Sequence, residues 1–304
     1  MKNTLDKALA ECRKFTSEGT VASYIPELQK ARYDALGICI MTENEILAVG
    51  DCDEKFTMQS VVKPMILLLA LMDNGLEKVR DLVGVEATGK PFDTFNYSDR
   101  ALTGAHINPM VNAGAIALLT LINGDSYAEK FDRLLSLTRT LADNPSLEVD
   151  EAVYLSESQT GSKNRALAYM LKAYGMISCE VEEVVDIYFR ACSIKVDCRD
   201  LARIALVLSR KGRDPKTDKQ LFPAEFAGCV NAILSICGMY DGSGEFALNV
   251  GIPAKSGVGG GIMAVVPSRM GIGTYSPALD KKGNSRAGVK ALELLSRELN
   301  LSIF

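Results

Sequence analysis

Phe56-Thr57-Met58-Gln59-Ser60-Val61-Val62-Lys63-Pro64-Met65, running into the apolar tail Ile66 to Met72, is the stretch around which the chain is organised. Ser60 and Lys63 are three residues apart, a spacing that puts two side chains on one face of a helix. A serine hydroxyl is a weak nucleophile at its own pKa and needs a neighbour to take its proton. A desolvated lysine suits that role, because burial disfavours its charged form and makes it a base near neutrality. Residues 65–72 offer no polar face, which predicts a helix buried on all sides with the hydroxyl and the amine at one end. Pro64 is tolerable only in the first turn of such a helix, and it biases Lys63 away from helical angles. The plainer alternative is that Ser60 caps a helix and Lys63 reaches solvent.

Composition narrows the class. The 304 residues are 47% hydrophobic and 24% charged, as in an ordinary globular protein of one large domain or two smaller ones. A net charge of −4 argues against non-specific nucleic-acid binding. No apolar run is long enough to span a membrane. The first residues, Met1-Lys2-Asn3-Thr4-Leu5-Asp6-Lys7, are polar where a secretory signal is apolar, so a cytoplasmic location is expected. The 8 cysteines include no C-x-x-C pair and His106 is the only histidine, so no zinc site and no metal are expected. With one histidine, the search for a catalytic base turns to lysine and tyrosine.

Taken in order, residues 3–15 are helical, with Leu5, Ala8, Leu9 and Cys12 on one side. Residues 37–42 and 45–51 read as two strands joined by a polar turn. Asn74-Gly75 stops the central helix. Helical signals then dominate, at about 111–119, 126–141, from Thr160-Gly161-Ser162 to about 173, 180–191, 198–210 and 224–237. After Gly242 the pattern becomes strand-like again at 252–256, 261–266 and 270–275, and a last helix capped by Asn284 or Ser285 runs to about 299. The fold class is therefore α+β: a mainly antiparallel sheet covered by terminal helices, with a helical subdomain inserted. We divide a single 1–304 domain into a sheet-and-helix part, 1–74 with 241–304, and a helical part, 75–240, with the site where they meet.

Further features carry chemistry or imitate it. Lys255-Ser256-Gly257-Val258-Gly259-Gly260-Gly261 is a strand running into a glycine turn, whose exposed N–H groups suit a developing oxyanion; a tight strand turn is the alternative. Gly84 to Pro91 nearly spells a phosphate-binding loop, but Pro91 replaces the metal-binding hydroxyl residue and no clear strand precedes it, so nucleotide binding is not expected. Asn112 interrupts an apolar stretch and, once buried, needs partners. Glu157, Asn164, Tyr188 and Tyr240 are open to surface, capping or core roles.

Together these motifs resemble a known order. S-x-x-K on a central helix followed by a K-[ST]-G strand, with a helical subdomain between, is similar to the serine β-lactamase and penicillin-binding-protein fold. The serine-dependent glutaminase family is closer still. Its motifs are matched by Tyr24-Ile25-Pro26-Glu27-Leu28, residues 56–64, residues 108–116, Asn164-Arg165-Ala166-Leu167-Ala168-Tyr169, residues 188–193, Gly238-Met239-Tyr240-Asp241 and residues 255–261. The resemblance runs from about residue 20 to 280 and is to the short bacterial members. It implies Ser60 as nucleophile toward the side-chain amide of L-glutamine, Lys63 as its activator, and Tyr240 as the group that moves a proton to leaving ammonia. It implies an oxyanion hole from the N–H groups of Ser60 and Val258, and substrate contacts from Tyr24, Gln59, Asn112, Glu157, Asn164 and Tyr188. No cofactor and a homodimer or homotetramer are also implied. The choice of general base among Lys63, Tyr188 and Tyr240 stays open, as do two rivals: a β-lactamase or peptidase of the same fold, and a non-catalytic amino-acid sensor.

Overall fold

The computed structural model describes residues 1–87 and 107–304. His106 and residues 88–91 of the near-phosphate-loop stretch lie outside the described residues. In chain order the elements are α1 (Lys2–Cys12), β1 (Gly37–Met41), β2 (Ile46–Gly50), β3 (Phe56–Thr57), α2 (Lys63–Leu82), α3 (Asn112–Leu119), α4 (Tyr127–Ala142), α5 (Glu151–Thr160), α6 (Ser162–Ala173), α7 (Val181–Cys192), β4 (Lys195–Val196), α8 (Cys198–Ser209), α9 (Ala224–Cys237), α10 (Ser243–Asn249), β5 (Ala254–Ser256), β6 (Gly261–Val266), β7 (Met270–Tyr275) and α11 (Arg286–Leu299).

The strands from the two ends of the chain form one antiparallel sheet in the order β2-β1-β7-β6-β5. Its side chains alternate between two cores, as the two-residue period of a strand requires. Ile38, Ile40, Ile262, Ala264, Val266, Met270 and Ile272 face the terminal helices, where they meet Leu5 and Ala8 of α1 and Ala291, Leu292 and Leu295 of α11. Each fully buried Leu or Ile there contributes about 1.5–3 kcal/mol. Cys39, Met263, Val265 and Tyr275 face the opposite core, shared with the helical part.

On that second face α8 lies directly on β7, and two glycines make this possible. A Cβ on Gly273 would meet the Cys198 carbonyl oxygen at 2.1 Å, and one on Gly271 would meet the Ala202 carbonyl oxygen at 2.0 Å. Thus α8, which falls within 75–240, serves as the sheet's second cover. A small pair, β3 with β4, joins the segment before Ser60 to the segment after α7.

The central helix is buried from Lys63 through Leu71, as its lack of a polar face predicts. Gly75 ends its first part with φ 76, and a second helical stretch continues to Leu82. At the other end the bias imposed by Pro64 is overridden: Lys63 has φ −58 and ψ −39, an ordinary right-handed helical conformation. Pro64 stands in the first turn, where its missing N–H costs nothing, and the enclosed packing of α2 selects the helical angles. Residues 151–160 form α5, which the sequence pattern did not reveal. Only Val153 and Glu157 of it are buried, so it has no apolar stripe, and Asp150 caps it by accepting from the Val153 N–H.

Candidate active site

Ser60 lies in a 3-10 turn, Gln59–Val62, that runs straight into α2. In a 3-10 turn side chains three apart eclipse each other, which tightens the spacing already present in the sequence. Lys63 Nζ donates to Ser60 Oγ at 2.9 Å. Lys63 has no exposed surface. Burial pushes its amine down to about 8, with Cys192 and Glu157 pulling weakly the other way.

Asn112, the first residue of α3, organises the next layer. Its Oδ1 accepts from Lys63 Nζ at 2.7 Å and from the Tyr188 hydroxyl at 3.1 Å, while its Nδ2 donates to Asn164 Oδ1 at 2.9 Å. A neutral lysine amine that gives a hydrogen to Asn112 has its lone pair left for the Ser60 proton. The helical part therefore orients the amine carried by α2.

The entry to Ser60 is strained. Gln59 has φ 47, in the left-handed region that costs a non-glycine residue of order 1–3 kcal/mol. Its side-chain amide donates to Thr57 Oγ1 at 3.3 Å and to Glu157 Oε2 at 3.4 Å. Glu157 is buried on α5, and burial pushes its carboxyl up to about 8, opposed by the hydrogen bond from Gln59 and by Lys63 and Cys192. An acid held this way is ready for a cationic partner, which would restore its ionised form.

The glycine turn after β5 packs against the segment before Ser60. A Cβ on Gly257 would meet the Met58 carbonyl oxygen at 2.6 Å, and one on Gly259 the Thr57 carbonyl oxygen at 2.5 Å. This close approach brings Val258 to the Ser60 side of the cavity. Tyr240 follows α9 in a second left-handed conformation, φ 55. Its phenol is buried; burial raises its pKa well above the usual phenol value, opposed by hydrogen bonding with the Ser60 side chain and the Val258 backbone.

A cavity of about 550 Å³ opens onto this cluster. Tyr24, Gln59, Ser60, Asn112, Glu157, Asn164, Tyr188 and Val258 line it, with Lys63 and Tyr240 behind Ser60. All ten residues singled out in the sequence thus come to one place. Sequence reasoning missed Cys192, which also lines the cavity and hydrogen-bonds with Glu157 and Tyr188. It stands four residues after Tyr188 on α7, so the helical spacing was the available signal. Lys255, in the strand that opens the glycine turn, is fully buried. Among the described residues there is no group of His, Cys, Asp and Glu able to hold a metal, and no helix long and apolar enough to cross a membrane.

The sheet, the inserted helices and the Ser-x-x-K turn define a protein of the serine β-lactamase-like fold. The glutaminase family model matches residues 19–304, and the chain belongs to that family. A glutaminase of Clostridium tetani is 53% identical over 306 residues, covering 100% of both chains, and one of Clostridioides difficile is 52% identical, covering 99% of this chain and 100% of its own. Among solved structures, a probable glutaminase from Bacillus subtilis complexed with 6-diazo-5-oxo-L-norleucine is 38% identical, with a TM-score of 0.90 over 98% of this chain and 94% of that one. A covalent complex between the Bacillus subtilis glutaminase YbgJ and 5-oxo-L-norleucine, formed by reaction with the diazo compound, is 37% identical, with a TM-score of 0.91 over 100% and 99%.

Proposed function

We propose that this chain hydrolyses L-glutamine to L-glutamate and ammonia through a γ-glutamyl ester on Ser60. The observation that carries the reading is the 2.9 Å contact between Ser60 Oγ and a fully buried Lys63, at the base of a cavity that also holds the buried carboxyl of Glu157. In its neutral form Lys63 takes the hydroxyl proton as Ser60 Oγ attacks the side-chain amide carbon. The N–H groups of Ser60 and Val258 receive the oxyanion. The intermediate collapses, the C–N bond breaks, and Tyr240 helps deliver the proton that lets nitrogen leave as ammonia. Water then attacks the ester and returns Ser60 with free glutamate.

Glu157 pairs with the substrate α-ammonium, and Tyr24, Gln59, Asn112, Asn164 and Tyr188 meet its polar ends. Support comes from the relative trapped covalently by a diazoketone built on the glutamine skeleton, whose diazo carbon loses N2 to a nucleophile beside the position of the γ-carbonyl. Glu157 favours a free amino acid over a β-lactam or peptide, and the intact Ser60–Lys63 pair favours an enzyme over a sensor. We read residues 1–304 as one functional unit, acting without a cofactor in the cytoplasm as a homodimer or homotetramer.

The test is ammonia release by the purified protein with L-glutamine, with L-asparagine and Ser60→Ala as controls. Release that falls by about 10⁴-fold or more in Ser60→Ala, with glutamate binding retained, is expected. A Ser60→Ala protein turning over at the wild-type rate would refute the nucleophile assignment.

A further inference from the structure

Glu157, Asn164 and Tyr188 line the cavity from three different helices, α5, α6 and α7. Each is followed in the chain by a member of one small cluster: Ser158, Arg165 and Phe189. Arg165 Nη1 donates to the Ser158 carbonyl oxygen at 2.6 Å, and its Nε donates to Glu182 Oε2 at 2.9 Å. Its guanidinium lies 5.3 Å from the centroid of the Phe189 ring. The same ring fills the corner between α5 and α6, where a Cβ on Gly161 would meet Phe189 Cζ at 2.1 Å. Such contacts matter because packing does little to place α5: with only Val153 and Glu157 buried, it has no apolar stripe to seat it. Ser158 is among its last four residues, whose carbonyls find no partner inside the helix. A guanidinium supplies that partner with a charge-assisted bond, roughly twice as strong as a neutral one. The pair with Glu182 is solvent-exposed and adds little alone, so the carbonyl and the ring are what Arg165 holds.

We infer, on the reading proposed above, that Arg165 is a positioning residue for substrate binding: by tying the end of α5 to the start of α6 across the Phe189 ring of α7, it fixes Glu157, Asn164 and Tyr188 relative to one another. Each of the three stands one residue from the clasp, so a shift at Arg165 reaches all of them through a single peptide unit. Glu157 depends on it most, because α5 has the least packing of its own. The reacting groups stand elsewhere: Ser60 and Lys63 at the start of α2, Tyr240 after α9 and Val258 in the glycine turn. The clasp therefore acts on how tightly the amino-acid end of glutamine is held, and not on the attack at its amide. Interactions made equally in the ground state and the transition state appear in KM and leave kcat nearly unchanged.

The test is steady-state ammonia release from L-glutamine by wild type, Arg165→Met and Arg165→Lys, with L-glutamate affinity by calorimetry and Tm measured on each. Arg165→Met keeps the apolar stem beside Phe189 and removes the donors. It is expected to raise KM and the glutamate Kd about 10-fold, with kcat within about threefold of wild type. Arg165→Lys, which keeps a charged donor for the Ser158 carbonyl, should recover part of that loss. Arg165→Gln replaces the methionine variant, under the same limits, if that protein does not fold. A purely structural role would lower Tm and the active fraction, and with it the apparent kcat, while KM stayed within about threefold of wild type; that result overturns the inference. So does a lysine variant as impaired in KM as the methionine one. Failure of the underlying reading is separate: wild type itself would then release no ammonia.

Discussion

Asn112→Asp replaces one oxygen-bearing side chain by another of nearly the same shape and changes the charge beside the base. In the native site Asn112 Oδ1 is 2.7 Å from Lys63 Nζ, whose pKa burial has brought down to about 8. An opposite charge at that distance favours the ammonium and raises the lysine by about 1–3 units. A two-unit rise is about 2.7 kcal/mol, and at pH 7 it takes the neutral fraction of Lys63 from about one in ten to about one in a thousand. On the proposed mechanism the neutral form accepts the Ser60 proton, so kcat at pH 7 should fall about 100-fold. The rising limb of kcat against pH should move from near 8 toward about 10. Activity should therefore return in alkali, which simple damage to the site would not produce. The assay is steady-state ammonia release from L-glutamine between pH 6 and about 10.5, with Tm followed across the same range. A kcat–pH limb that overlays the wild type would refute the view that Asn112 controls the charge of Lys63.

Glu157 leads to a second measurement. Burial holds its carboxyl protonated up to about 8, and an arriving α-ammonium favours the ionised form, so binding of glutamate or glutamine near pH 7 should release up to about one proton per site. Calorimetry in buffers of different ionisation heat checks this, and the release should vanish in Glu157→Gln. Gly257→Ala places a Cβ 2.6 Å from the Met58 carbonyl oxygen and should push the Val258 turn away from Ser60, lowering kcat about 10²–10³-fold with little change in KM. Gly273→Ala acts on the fold alone: its Cβ would meet the Cys198 carbonyl oxygen at 2.1 Å, so thermal melting should show a loss of about 1–3 kcal/mol while kcat per folded molecule stays close to wild type.

The sequence by itself determined the pieces governed by short-range rules. The buried helix follows from residues 65–72, the strands follow from their two-residue alternation, and Ser60 and Lys63 meet because they are three apart on one turn. Seven ordered motifs then pointed to the family, and the resemblance supplied the roles expected of the candidate site residues. Tertiary structure decided what depends on residues far apart in the chain. Asn112 reaches Lys63 from a different helix, and Glu157 approaches Gln59 across 98 positions, on a helix too poor in apolar residues to be seen beforehand. The face of the sheet that α8 covers was set by the clearance over Gly271 and Gly273, and the helical angles of Lys63 by packing that outweighed the bias of Pro64. The placement of Cys192 and Lys255 belongs to the same class, since it shows only once burial and neighbours are known. Periodicity and spacing are local and can be read along the chain, whereas desolvation, charge coupling and backbone clearance arise only once distant segments share one interior.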